Sequence, residues 1–159
     1  MPSDLIYLNI GFWCGYSFVA GMTGNPDKRC IAVDNFMWSE EAGMTFPKVY
    51  ENHKTKLSEV FTMDYRDYFQ TKHSAQIGVY FYDADHAYEH QVMGLEIAEK
   101  YFAPGCYILV DDTNWDSCKN ATLEFIEKRK DQYDLILDKT TANNGHLTFW
   151  NGFMIFRKI

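Results

Sequence analysis

Short apolar runs recur along the chain at Leu5–Ile10, Cys30–Asp34, Leu57–Thr62, Ile77–Asp83, Cys106–Asp112, Tyr133–Asp138 and Gly152–Arg157. Runs of this length, punctuated by Gly, Pro, Asn and Asp, predict β-strands. Between most of them the period changes. From Tyr88 to Phe102 the residues Tyr88, Val92, Leu95, Ala98 and Phe102 fall on one stripe, which predicts a helix stopped by Pro104-Gly105. A second helix is predicted from about Asp116, with Cys118, Ala121 and Phe125 inward and Asp116 or Asn114 as N-cap. Strands that alternate with helices imply right-handed crossovers and a mostly parallel sheet. The last two strands are joined by Thr-Thr-Ala-Asn-Asn-Gly-His and a few aromatics, which is turn chemistry without a helical stripe. They predict an antiparallel hairpin at one edge. The expected fold is therefore α/β, a single domain over residues 1–159, without internal repeats.

The polar positions that interrupt this pattern are concentrated at strand ends. Tyr-Phe-Tyr-Asp-Ala-Asp-His at 80–86 and Ile-Leu-Val-Asp-Asp-Thr-Asn-Trp at 108–115 are apolar runs that end abruptly in carboxylates. In an open α/β sheet the carboxyl ends of the strands form the ligand edge. Two such ends side by side would gather Asp83, Asp85, Asp111 and Asp112, with His86 among them. Converging carboxylates repel unless a proton or a cation intervenes. Oxygen ligands without cysteine favour Mg²⁺, with Ca²⁺ or Mn²⁺ as alternatives. The plainer alternative is that these acids cap helices or are solvated. Trp115 is expected either to wall an acceptor pocket or to pack in the core. Glu40-Glu41 reads as a solvated loop.

After the first strand comes Asn9-Ile-Gly-Phe-Trp-Cys-Gly-Tyr-Ser17. Gly11 is expected to make the sharp turn, and Gly15 to let backbone approach a ligand. The helix that follows would aim free N–H groups at an anionic group. Asp34 closes the second strand and is suited to a ribose diol. Asp64 follows the third strand, within reach of an adenine amino group. Asp85 either caps the helix near Ala87 or contacts the cofactor. A Gly-x-Gly-x-x-Gly dinucleotide fingerprint is absent.

Composition narrows the class. The 159 residues are 47% hydrophobic and 23% charged, as in an ordinary globular domain. No apolar run is long enough to cross a bilayer, and the first residues lack a signal-type core. A cytoplasmic setting without a membrane partner is expected. Cys14, Cys30, Cys106 and Cys118 form no CxxC pair and read as buried or semi-buried thiols. The net charge of −7 disfavours nucleic acid as a partner. Aromatic residues reach 17%, a surplus expected in the core and at a subunit contact, and a homodimer is expected.

Taken in order, Asn9–Ser17, Cys30–Asp34, Tyr82–His86 and Phe102–Asp112 resemble the motifs of class I S-adenosylmethionine-dependent methyltransferases. The likeness is to the small-molecule O-methyltransferases of the macrolide-sugar and catechol type, and it runs from Leu5 to Lys158. Phe-Ala-Pro-Gly-Cys-Tyr-Ile-Leu-Val-Asp-Asp is similar to the family's Leu-x-Pro-Gly-Gly strand. The resemblance implies a Rossmann-like sheet with helices on both faces and the terminal hairpin. It implies S-adenosylmethionine contacts from Asn9, Gly11, Gly15, Ser17, Asp34, Asp64 and Asp85. It implies a cation at Asp83, Asp111 and Asp112, and His86 as the base for a small-molecule acceptor: a sugar, a polyol or a phenol. The family usually carries Glu where Asn9 stands, and extra helices before its first strand. Their cover is expected from a partner subunit or from the loop Phe36–Tyr50, or is missing. The alternatives are a non-catalytic cofactor-binding or interaction domain and, less in keeping with the hairpin, an NAD-dependent oxidoreductase.

Overall fold

The computed structural model of the chain describes Pro2 and residues 4–159. Its strands are β1 Ile6–Ile10, β2 Cys30–Asp34, β3 Ser58–Thr62, β4 Ile77–Tyr82, β5 Phe102–Asp111, β6 Tyr133–Lys139 and β7 Phe153–Lys158. Its helices are α1 Tyr16–Met22, α2 Glu40–His53, α3 Tyr65–Thr71, α4 Tyr88–Glu99 and α5 Asp116–Glu127. The strands form one seven-stranded sheet in the order β3-β2-β1-β4-β5-β7-β6. β1 to β5 pair in parallel, and β7 lies antiparallel to both β5 and β6, so six strands share one direction and β7 is reversed. The expected α/β sheet with its terminal hairpin is therefore the fold.

β1 is buried along its whole length because both faces are covered. Ile6, Leu8 and Ile10 join one apolar cluster with Tyr80, Tyr82, Leu95 and Phe125, on the side of α4 and α5. Tyr7 points the other way, into a cluster with Phe12, Phe18, Met22 and Phe46 from the glycine turn, α1 and α2. Much of the aromatic surplus is thus core. Each fully buried Phe removes enough apolar surface to stabilise the fold by about 1.5–3 kcal/mol. Cys30, Cys106 and Cys118 are buried, Cys14 is half-buried, and all are free thiols.

Three local expectations are corrected. Most of Phe36–Tyr50, expected as a loop, belongs to α2, which runs Glu40–His53. Ser39 caps it by accepting from Ala42 N at 3.1 Å, and Glu40 and Glu41 lie in its first turn, where acids complement the helix dipole. Pro47 lies inside α2, where it lacks a ladder N–H and argues against a helix in the sequence. The second correction concerns Pro104-Gly105, which does not stop a helix. α4 ends at Glu99, and β5 already pairs with β4 at Phe102 opposite Ile77. The register then slips, which accommodates a proline without a ladder donor and Gly105 at φ 78. Finally, Asp116 is the first residue of α5; Trp115 holds the cap position without a side-chain bond.

His73 gives a pH dependence. It is buried against Tyr68, Phe69 and Tyr101, with the Tyr68 hydroxyl 3.0 Å from Nδ1. Burial pushes its imidazole down to about 4, helped by the Arg29 and Lys100 charges. The unfolded chain takes up this proton near pH ~6.5, so it binds more protons than the native state below that value. Stability is expected to fall as pH drops from ~6.5 toward 4. Denaturant midpoints measured across that window should flatten in His73→Phe; an unchanged slope would remove His73 from the account.

Candidate active site

The order of strands reverses between β1 and β4, so the chain leaves their carboxyl ends in opposite directions and opens a crevice. A cleft of about 1420 Å³ occupies this edge. Gly11, Ser17, Asp34, Asp64, Asp85 and His86 line it, as do Asp83, Asp111 and Asp112.

The glycine turn is built by contacts within the chain. Gly11 has φ 72, and a Cβ there would stand 2.0 Å from the Asp83 carbonyl oxygen. Its bareness lets the ends of β1 and β4 meet. Gly15, at φ 98, would meet the Phe46 ring at 2.7 Å. Gly15 does not line the cleft, so its bareness serves the packing of α2 rather than a ligand's approach. Asn9 is fully buried and also lies outside the cleft lining. Its Nδ2 donates to the Gly11 carbonyl at 2.7 Å, and its Oδ1 accepts from Ser17 Oγ at 2.8 Å. Asn9 thus pins the turn to α1 from beneath. Asp34 is likewise engaged: Oδ2 accepts from Phe12 N and Trp13 N, at 2.9 and 3.1 Å, and Oδ1 from Phe36 N at 2.7 Å. A carboxylate offers about four acceptor positions, so roughly one remains for a ligand.

Asp64 is the N-cap of α3. It accepts from Arg66 N at 2.8 Å and pairs with the Arg66 guanidinium, which holds its carboxyl below the usual range. Asp85 accepts from Ala87 N at 2.8 Å and pairs with His90 Nδ1 at 2.7 Å. Asp85 thus holds the residue that precedes α4, whose own cap Ala87 makes no side-chain bond, and His90 belongs to the rim of the cleft.

At the acidic edge, one ligand atom from each of Asp83, His86 and Asp112 falls within 4.8 Å of the others. His86 Nε2 lies 2.8 Å from Asp112 Oδ2, and Trp115 stands edge-on to the imidazole at 4.4 Å between ring centroids. In a continuing strand Asp111 and Asp112 would point to opposite faces. Asp112 breaks the alternation with a left-handed backbone, φ 58, which Asp tolerates better than most residues. Asp111 lines the same cleft but stands outside the close trio; its Oδ1 accepts from Asp112 N at 2.9 Å. Burial pushes Asp83 well above the usual carboxylate range, and the charges of Asp111, Asp112 and Asp34 add to it. Burial also lifts Asp111 to about 6, with Asp112 adding to the rise. Buried carboxylates such as Asp83 and Asp111, which resist ionisation on their own, suit a divalent cation.

Trp13, from the glycine turn, and Met37 and Trp38, from the segment expected to supply cover, are exposed at one side of the cleft. Leu147, Phe149 and Trp150, on the β6–β7 loop, are exposed at the other. Nothing in the spacing of these last three marks them, because the sheet brings together loops distant in sequence. Among the described residues, no helix is long and apolar enough to cross a membrane.

A parallel sheet continued by an antiparallel β7, with its cleft at the β1/β4 reversal, is the fold of class I S-adenosylmethionine-dependent methyltransferases. An O-methyltransferase from Bacillus cereus, solved with S-adenosylhomocysteine, superposes with a TM-score of 0.73 at 19% identity, covering 99% of this chain and 75% of that one. TomG, an O-methyltransferase of tomaymycin synthesis from Streptomyces achromogenes, gives 0.70 at 17%, covering 96% and 72%. A putative rRNA methylase from Clostridium thermocellum gives 0.72 at 13%, covering 99% and 89%. The comparison with curated proteins finds no match. A methyltransferase-domain family matches residues 8–113, well over half of the sequence, and the chain belongs to that family.

Proposed function

We propose that the chain moves a methyl group from S-adenosylmethionine to an oxygen of a small molecule, with a divalent cation at the acidic edge. The observation that carries this reading is the convergence of Asp83, His86 and Asp112 inside the cleft, beside the glycine turn. S-adenosylmethionine supplies the methyl group, and a cation supplies a positive centre for the acceptor oxygen.

The residues of the chain do the rest. Asp34 holds the turn and offers its remaining lone pair to the ribose diol. Gly11, Asn9 and Ser17 keep the turn in shape; Asp64 and Asp85 form the polar lip on the adenine side. The acids along this edge favour a cationic sulfonium electrostatically. Asp83, Asp111 and Asp112 hold the cation. His86, with Nε2–H donated to Asp112, keeps Nδ1 as the acceptor for the substrate's proton. Trp115, Phe149 and Trp150 exclude water from the acceptor side. An acidic cleft and a net charge of −7 argue for a small acceptor over a nucleic acid. Two of the similar structures are O-methyltransferases, which agrees with oxygen as the nucleophile.

Asp34→Ala is expected to weaken S-adenosylhomocysteine binding by at least ~10-fold, the loss of about one good charge-assisted hydrogen bond. Calorimetric titration reads this directly. Equal affinity in a folded variant would exclude Asp34 as a ligand. The reaction itself is tested by methyl transfer to a panel of sugars, polyols and phenols, with chelator and with added Mg²⁺. Failure to bind S-adenosylmethionine under any condition leaves only an interaction domain.

A further inference from the structure

Asn151 sits in the β6–β7 loop, distant in sequence from both acidic strand ends. Its Nδ2 donates to Asp112 Oδ1 at 2.5 Å. Its Oδ1 accepts from Gly145 N at 2.8 Å, and its carbonyl accepts from Asn114 N at 2.6 Å. The residue is thus fixed at three points, two of them on the turn that follows β5. Gly152, next in the chain, would place a Cβ 2.6 Å from Asn114 N, so the loop lies directly on that turn. Asp112 Oδ2 faces His86 Nε2 at 2.8 Å. Asp112 is therefore gripped from both sides, an amide on one oxygen and an imidazole on the other.

We propose that Asn151 is a positioning residue: it sets the rotation of the Asp112 carboxylate so that one oxygen faces His86 and Asp83. A carboxylate held through one oxygen alone is less restrained about its last torsion, and the geometry of the donor set loosens. Groups that orient a ligand in this way are worth about 10–100-fold in metal affinity or activity. The same loop carries Leu147, Phe149 and Trp150 into the cleft, so the acceptor wall and the orientation of Asp112 share one support. The cation part of this inference rests on the proposed function; the hold on Asp112 and His86 does not.

The test compares the whole chain with Asn151→Ala and Asn114→Ala. Asn114 bonds Thr141 and Asn144 in the same loop but makes no side-chain bond to Asp112. In cation-free protein, the ¹⁵N signals of the His86 ring are expected to report an Nε2–H bonded to a carboxylate. They should move toward a free imidazole in Asn151→Ala and stay in place in Asn114→Ala. With S-adenosylhomocysteine bound, Mn²⁺ affinity should fall about 10-fold or more in Asn151→Ala only, while S-adenosylhomocysteine affinity holds. If the alanine variant does not fold, Asn151→Ser is read instead, because its hydroxyl is too short to reach Asp112. Unchanged His86 signals and Mn²⁺ affinity in the Asn151 variants overturn the proposal. Equal losses in Asn114→Ala overturn it too, since they trace the effect to the loop as a whole. A wild type that binds no Mn²⁺ but whose His86 signals still depend on Asn151 sinks the cation reading and leaves the positioning role standing.

Discussion

His86→Ala is expected to slow methyl transfer by ~10²-fold or more, the usual size of a lost general base. S-adenosylhomocysteine and cation binding should survive the change. The imidazole rests on Trp115 and on Asp112 at the edge of the cleft, half-exposed, so its removal leaves the core intact. Asp111→Asn is expected to do the reverse, reducing cation affinity first and turnover in consequence. The paired measurement is single-turnover transfer together with Mn²⁺ titration. A His86 variant that loses cation binding with activity would make the imidazole a ligand, which the 4.8 Å trio also permits. Activity indifferent to chelator removes the cation and spares the methyltransferase.

Gly11→Ala is expected to destabilise the fold by at least ~3 kcal/mol, near the upper range for one substitution. The new Cβ would lie 2.0 Å from the Asp83 carbonyl oxygen and 2.5 Å from its carbon, and backbone cannot step aside as a side chain does. Gly24→Ala is the matched control. Gly24 also has a positive φ, 76, but nothing lies within 4 Å of its added Cβ. Only the left-handed penalty of ~1–2 kcal/mol applies there. Urea denaturation of both variants separates conformation from collision. Similar losses at the two positions would mean that the approach of β1 to β4 is softer than its geometry implies.

Strands two and four show what sequence alone can locate. Cys30–Asp34 was bounded to the residue because Arg29 and Asn35 flank an unbroken apolar run. The acids after β4 and β5 were legible for the same reason: a buried strand cannot end in carboxylates without meeting a surface. α2 was not legible, because Pro47 masks a stripe that Ala42 and Phe46 otherwise mark. Asn9 misled in another way. An amide at the end of β1 can face a ligand or the turn above it, and the choice depends on Ser17 and Gly11 folding back. The contact of Asn151 with Asp112 joins residues 39 apart; it exists only once β7 has entered the sheet, and no local spacing encodes it.

The place of β7 constrains how the sheet can be completed. β6 precedes it in sequence, yet among the described residues its neighbour in the sheet is β7 alone, which lies between β6 and β5. β6 therefore reaches the sheet only through β7, whether the two first pair as a hairpin or β7 adds to β5 alone. Pairings between distant segments are slow because the loop entropy is lost before the contact forms. The β1–β5 half can form its parallel ladder while the hairpin is still unplaced, leaving the edge of β5 open. During that interval β5 exposes a long apolar edge, the kind of surface on which chains of this type associate wrongly.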